Sequence, residues 1–197
     1  MPDFWRALAE ARGVAAEALR FAILTAARSG EVRGMRWREV DWAGSVWTVP
    51  PERMKAGRAH RVPLSGEALA VLRRMRALGE APEGFVFPAP RRGAPLSDMS
   101  LTAALRDLPG EWRDALGNAI TVHGFRSTFR DWAGETQAAP RDVAEAALAH
   151  VVKDATERAY ARGDLLEPRR VLMERWAHHV VGEAGAVVAL RRRRPQR

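Results

Sequence analysis

Apolar side chains recur at helical spacing along most of the chain. From residue 14 to 27 they fall every three or four positions, as at Leu19, Ala22, Ile23 and Ala26. This spacing predicts a helix with one buried face. The same pattern predicts further helices at residues 66–78, 97–108, 121–136, 141–150, 154–162 and 171–181.

The end of the first predicted helix is marked by Arg28, Ser29 and Gly30, which interrupt the apolar pattern. Serine is a residue type that caps helix N-termini, and Glu31 would then lie in the first turn, where the helix dipole favours a carboxylate. We therefore expect a second short helix with Ser29 as its cap and Arg28 at the corner between the two helices.

Residues 40–65 follow a different pattern, because short apolar runs alternate with turn residues. The runs VDW, VWTVP and HRVPLS are separated by Ala43-Gly44 and by Lys55-Ala56-Gly57. Such spacing predicts a small antiparallel sheet whose last connecting turn carries Lys55. The expected fold class is α+β, mainly α-helical, with a three-stranded antiparallel sheet at one edge.

The length of 197 residues fits one domain. We expect a single folded unit over residues 1–188, followed by a disordered basic tail over residues 189–197. The chain has no cysteine, which excludes disulfides, thiolate metal sites and a cysteine nucleophile. No segment approaches the roughly 18 to 20 apolar residues of a membrane span, and the N-terminus has no signal-peptide pattern. These features lead us to expect a soluble, cytoplasmic protein.

The net charge of +8 suggests a polyanionic partner, but its distribution weakens the argument. Five arginines lie in the last seven residues, and without them the balance falls to +3. A charge that small is typical of nucleic-acid-binding domains and of ordinary soluble domains alike. The chain has 30 arginines but only two lysines, Lys55 and Lys153, so a lysine at a chemically meaningful position carries more weight.

Each chemically capable side chain has an ordinary structural interpretation when it is taken alone. An arginine at a helix corner is usually solvated or caps the helix, and a histidine and arginine three apart are more often a surface pair than a phosphate clamp. A lone tyrosine usually packs with its hydroxyl bonded to the backbone, and a turn lysine usually faces solvent. The side chains concerned are Arg28, Lys55, His123, Arg126, His150 and Tyr160.

Taken together and in order, the segments around these residues resemble the catalytic domain of the tyrosine recombinases, phage integrases in particular. The segments are LTAARSGEVRGMRW, VPPERMKAGRAHRVPLS, HGFRSTFRDWA and LAHVVKDATERAYARGD, and the resemblance extends from about residue 15 to 175. It places the family's catalytic residues on Arg28, Lys55, His123, Arg126, His150 and Tyr160, and Tyr160 is the only tyrosine in the chain.

The resemblance implies a function in site-specific DNA recombination, for the integration or excision of a phage or mobile element. In that chemistry Tyr160 takes the 3′ phosphate of the cut strand, and Lys55 gives a proton to the departing 5′ oxygen. No metal or nucleotide cofactor is implied. The implied partners are double-stranded DNA and, in a full-length protein, further copies of the recombinase in a tetrameric synapse. The implied location is cytoplasmic, at the nucleoid.

The residue types suit this reaction for physical reasons. Displacement at a phosphodiester builds negative charge on the non-bridging oxygens, which preorganised cationic donors stabilise. The two arginines can each donate paired hydrogen bonds to a phosphate and stay charged at any working pH. Histidines can donate further bonds or accept the tyrosine proton, and a phenol with a pKa of about 10 needs such help. We therefore expect all six side chains to line one basic face.

Two departures from the family leave alternatives open. Ala149 stands where many relatives have glycine before the histidine, which we interpret as tolerable at a helix start. Family members usually carry a separate DNA-clamping domain ahead of the catalytic one, so we expect either a fragment of a longer integrase or a truncated product. A truncated or inactive relic that only binds DNA is one alternative, a type IB topoisomerase is a second, and a helical domain with accidental matches is a third.

Overall fold

The computed structural model of the chain describes residues 1–54, 56–79, 83–91, 93–150 and 164–182. These residues form a mostly helical fold with one small antiparallel sheet, so the predicted fold class is confirmed. Within the described ranges the helices are α1 (Pro2–Glu10), α2 (Val14–Thr25), α3 (Ser29–Arg33), α4 (Gly66–Arg76), α5 (Ser100–Arg106), α6 (Gly124–Glu135), α7 (Arg141–Ala147) and α8 (Leu166–Val181).

The sheet consists of β1 (Val40–Asp41), β2 (Val46–Val49) and β3 (His60–Pro63), in the order β1-β2-β3 with both pairs antiparallel. Trp47 on the central strand pairs with Val62 and is fully buried, which fixes the face of the sheet that packs on the helices. The connection from β2 to β3 carries a short 3-10 turn at Pro51–Arg53. The predicted strands are therefore confirmed, with each strand one or two residues shorter at its end.

The core is built around α2 and α8. Helix α2 is buried on nearly all sides, and α8 packs against α1, α2, α4, α7 and β3. Trp176 of α8 is fully buried, donates its indole N–H to the carbonyl of Ile23 at 2.8 Å, and meets Phe129 edge-on at 5.4 Å between ring centroids. A buried indole needs such an acceptor, so this one side chain ties α8 to both α2 and α6.

The corner between α2 and α3 forms as predicted, but its cap is a different residue. Helix α2 ends at Thr25 with Ala26 in the left-handed conformation (φ 49°), and α3 begins at Ser29 with Arg28 as the N-cap. The prediction of Ser29 as the cap is wrong, because Ser29 is already the first helical residue and the extended residue before it is Arg28. The carboxylate of Glu31 reaches back over the first turn and accepts the backbone N–H of Arg28 at 3.0 Å, as the glutamate of a capping box does.

Helix ends differ from the predictions elsewhere as well. Helix α7 stops at Ala147, three residues before the predicted end, and Ala149 is left-handed with a φ of 50°. Ala149 thus follows the end of α7, and the interpretation of it as a helix start stays a prediction, because residues 151–163 lie outside the described part of the chain. The last helix begins at Leu166, five residues before the prediction, because Pro168 in the first turn of a helix is tolerated and does not break it. Helix α1 was not predicted.

The remaining predictions fall outside the described residues. These are the turn residue Lys55, the helix at residues 154–162 with Tyr160, and the basic tail at residues 189–197. No helix among the described residues is long and apolar enough to cross a membrane.

Candidate active site

A cavity of about 380 Å³ opens where three parts of the chain meet. The corner between α2 and α3 contributes Arg28 and Glu31, the start of α6 contributes His123 and Arg126, and the turn between β2 and β3 contributes Arg53. Three guanidinium groups and one imidazole thus face a space that holds a single buried carboxylate. This arrangement can receive an anion.

Glu31 orients Arg28 at the edge of the cavity. One carboxylate oxygen of Glu31 accepts the backbone N–H of Arg28, and the other lies 2.8 Å from Nη1 of its guanidinium. The Glu31 side chain is 6% exposed, whereas the Arg28 side chain is 32% exposed. The guanidinium of Arg28 is therefore held by a buried carboxylate on one side and exposed to the cavity on the other.

Arg126 is buried and bridges the ends of two helices. Its Nη1 donates to the carbonyl of Ala26 after α2, and its Nη2 donates to the carbonyl of Leu148 after α7 at 2.8 Å. Helix C-termini carry partial negative charge, so both ends stabilise the cation. These bonds use two of the five N–H donors of a guanidinium, which leaves others for a ligand in the cavity.

The surroundings of Arg126 make its positive charge less favourable than it is in water. Burial and then the positive charge of Arg28 lower the pKa of Arg126 to about 10, while Glu31 opposes the shift. A pKa of about 10 still leaves the guanidinium protonated at neutral pH. An anion in the cavity would offset both the burial and the repulsion from Arg28.

His123 is the N-cap residue of α6 and its side chain is exposed, in contrast to Arg126 one turn later. The chain enters the helix through a turn in which the Thr121 hydroxyl accepts the backbone N–H of Gly124 at 3.0 Å. This turn sets His123 at the mouth of the cavity and Arg126 at its base.

Arg53 was missed at the level of sequence. It donates to the backbone carbonyl of Glu31 at 2.7 Å and to the carboxylate of Glu39. The same carboxylate oxygen of Glu39 accepts the indole N–H of Trp47 at 3.0 Å, so the sheet and the α2–α3 corner are joined through this arginine. One arginine among thirty offers no signal in the sequence, apart from its place two residues before Lys55.

The other predicted residues either do not line the cavity or lie outside the described part of the chain. His150 is not among the residues that line the cavity, but it lies two positions after Leu148, whose carbonyl binds Arg126. Its side chain is 40% exposed. Lys55 and Tyr160 lie outside the described residues. Among the residues that the structure describes, no three His, Asp or Glu side chains are grouped so that they could hold a metal ion.

Comparison with known proteins identifies the family. The model of the phage integrase family matches residues 6–165. Prophage integrase IntA of Escherichia coli (strain K12) is 40% identical over 168 residues, which cover 84% of this chain and 39% of IntA. The chain thus spans about two-fifths of the length of that curated relative.

Solved structures show the same fold at lower identity. The integrase of mycobacterium phage Brujita superposes with a TM-score of 0.62 at 18% identity, covering 89% of this chain and 56% of that one. The Tn1549 transposon integrase, solved in complex with circular intermediate DNA, gives a TM-score of 0.58 at 15% identity, covering 82% of this chain and 58% of that one. With the family match over most of its length, this chain belongs to the phage integrase family.

Proposed function

We propose that this chain cleaves and rejoins DNA at specific sites through a 3′-phosphotyrosine bond to Tyr160, in the integration or excision of a mobile element. The observation that carries the proposal is the cavity in which Arg28, His123 and Arg126 meet. Their convergence supports a site for one phosphodiester group, since a buried Arg126 and a partly exposed Arg28 present donors to the same space.

The arginines act on the charge that develops during displacement. In the transition state the non-bridging oxygens of the phosphate gain negative charge, and guanidinium donors fixed beforehand stabilise it without reorganising. Arg28 is fixed by Glu31, and Arg126 is fixed by two backbone carbonyls. His123 at the mouth of the cavity donates to the phosphate or accepts a proton from the attacking phenol.

The roles of the remaining residues follow from their positions in the family segments. The oxygen of Tyr160 forms a bond to phosphorus while the bond from phosphorus to the 5′ oxygen breaks, and Lys55 supplies the proton that this oxygen takes. His150 donates to the same phosphate. No cofactor is needed, because the phosphotyrosine conserves the phosphodiester bond for rejoining.

The proposed partner is double-stranded DNA, met at the nucleoid, and further copies of the recombinase assemble with it on that DNA. The Tn1549 integrase, which shares the fold, was solved with DNA bound. Residues 1–188 form the catalytic unit in this proposal, and residues 189–197 add a basic tail.

The test is covalent trapping on a nicked duplex that loses a short fragment after cleavage. We expect the wild-type chain to form a denaturant-resistant adduct whose modified peptide contains Tyr160. Tyr160→Phe removes one hydroxyl and little surface, so it should abolish the adduct while DNA affinity changes by less than about twofold. An adduct formed by the Phe variant, or none formed by the wild type, would refute the proposal.

A further inference from the structure

The end of α7 holds His150 in a defined position. The backbone N–H of His150 donates to the carbonyl of Glu145 at 3.0 Å, and the N–H of Ala149 donates to the carbonyl of Ala146 at 3.1 Å. With Ala149 left-handed, this pair of bonds is a Schellman motif. The motif turns the chain back, so that the ring of His150 lies over the side chain of Glu145.

The carboxylate of Glu145 is shared between two partners. Its Oε2 lies 2.6 Å from Nδ1 of His150, and its Oε1 accepts Nε–H of Arg130 at 3.0 Å. The Glu145 side chain is 18% exposed, against 40% for His150 and 54% for Arg130. Burial favours the neutral acid, but the hydrogen bonds and charges of the two partners outweigh it and lower the pKa of Glu145. Glu145 is therefore a carboxylate at neutral pH.

We propose that Glu145 is a positioning residue that fixes the ring of His150 and directs its Nε2 to the DNA phosphate. A carboxylate accepts and does not donate, so the nitrogen next to it must carry a hydrogen. Nδ1 therefore keeps its proton toward Glu145, and Nε2 is the nitrogen that can meet the substrate. This inference rests on the proposed function, because it assumes that His150 acts at the phosphate.

Helix α6 supports the arrangement with two arginines one turn apart. Arg126 holds the carbonyl of Leu148, and Arg130 holds the carboxylate of Glu145. The end of α7 is thereby bound to α6 through its backbone and its side chain together. Any displacement of Glu145 is opposed by Arg130, so the carboxylate is itself oriented before DNA binds.

The first experiment is a double-mutant cycle on the rate of adduct formation, with Glu145→Gln, His150→Ala and the double variant. Glu145→Gln keeps the shape of the side chain, and it should slow the adduct by roughly 10- to 100-fold, as the loss of an orienting partner typically does. The double variant should be no slower than His150→Ala alone, because Glu145 acts through that ring. Glu135→Gln, at the exposed end of α6, is the matched control and should be unchanged.

Additive slowing in the double variant, or a normal rate for Glu145→Gln, would overturn the proposal. A purely structural role also predicts slowing in the double variant beyond His150→Ala, and it predicts a lower unfolding midpoint for Glu145→Gln. Neither result is expected here.

The second experiment does not depend on activity. Long-range ¹H–¹⁵N NMR spectra of the ring nitrogens should show His150 as the Nδ1–H tautomer in the neutral wild-type chain, and as a mixture in Glu145→Gln. An unchanged tautomer would refute the positioning role. A wild-type chain that forms no adduct would instead refute the proposed function, while the spectra would still decide whether Glu145 holds the ring.

Discussion

Arg126 and Arg28 line the same cavity but are held in different ways. Arg126 is 6% exposed and satisfies carbonyls at the ends of two helices, whereas Arg28 is partly exposed and pairs mainly with Glu31. Removal of Arg126 leaves two buried carbonyls without their donor, and each costs about 1 to 3 kcal/mol. The Arg28 guanidinium is 32% exposed and its Glu31 partner keeps the backbone N–H of residue 28, so their ion pair contributes only about 1 kcal/mol or less.

We therefore predict that replacement of Arg126 lowers both stability and activity, whereas replacement of Arg28 lowers mainly activity. Arg126→Met should lower the free energy of unfolding by about 2 to 4 kcal/mol and abolish the adduct. Arg28→Met should cost less than about 1 kcal/mol and still slow the adduct by at least ~100-fold. Urea unfolding and single-turnover cleavage measure the two effects, with the exposed Arg113→Met as control. Equal losses of stability in both variants would contradict the assigned environments.

His60 on β3 is a partly buried histidine that stays neutral. Burial, and then the positive charge of Arg169, lower the pKa of His60 to about 4. Glu31 raises the pKa and Arg126 lowers it further. The unfolded chain, with an ordinary pKa near 6.5, binds a proton that the folded chain rejects between about pH 6.5 and 4. Acid therefore favours the unfolded state over this range, and above about pH 6.5 the effect vanishes.

The prediction is a loss of stability on acidification that depends on this histidine. Between about pH 7 and 4 the wild-type chain should lose about 3 kcal/mol through His60, in addition to the contributions of its carboxylates. The glutamine in His60→Gln cannot titrate. The unfolding free energy of this variant should therefore fall by about 3 kcal/mol less than that of the wild-type chain over the same pH range. The comparison uses urea unfolding of both proteins at each pH. Parallel pH profiles would show that the fold does not lower the pKa of His60.

At the scale of elements, the end of α7 decides where His150 lies. The Schellman motif requires a left-handed residue, and Ala149 fills that position with a φ of 50°. A residue with a Cβ is strained there by roughly 1 kcal/mol, and glycine is not. The chain thus tolerates strain at the point from which the histidine projects.

Relief of that strain is directly testable. Ala149→Gly should raise the free energy of unfolding by about 0.5 to 1 kcal/mol, because glycine adopts a positive φ without a Cβ clash and this gain exceeds its extra entropy when unfolded. Ala146→Gly, inside α7, should instead lower it by about 1 kcal/mol. Thermal and urea unfolding of both variants give the two signs. Destabilisation by both glycines would mean that residue 149 is not left-handed.

At the scale of the whole molecule, charge is distributed unevenly along the chain. Five positive charges lie in the last seven residues, and the remainder of the chain has a balance of +3. Contacts between arginines and phosphates release counterions, so their contribution to DNA affinity decreases as the salt concentration rises. These contacts carry little information about the DNA sequence.

We predict that this C-terminal charge controls the salt dependence of DNA binding. Deletion of residues 191–197 should flatten the slope of log affinity against log salt by up to about 4, with little change in site preference. Replacement of the five arginines by glutamine keeps the length and should give the same result. The measurement is a titration of cognate and unrelated duplexes at several salt concentrations. A slope that stays constant after deletion would place the contacts elsewhere.

The sequence by itself determined the fold class and the order of the chemical residues. Helical spacing and the Val- and Trp-rich runs depend on neighbours a few positions away, so the strands of the sheet and most helices were predicted from them. The family segments likewise identify Arg28, His123 and Arg126 without any information about their positions in space.

Only the tertiary structure decided where helices end and how the site residues are held. Arg126 finds one carbonyl 100 residues away and another 22 residues away, and Arg53 reaches Glu31 over 22 residues. The helix caps at Arg28 and Ala149 use partners within five residues, but arginine and alanine are not the residue types usually found at these positions, so residue preferences did not predict them. Long-range acceptors and buried charges are set by packing, because they exist only once distant segments have come together.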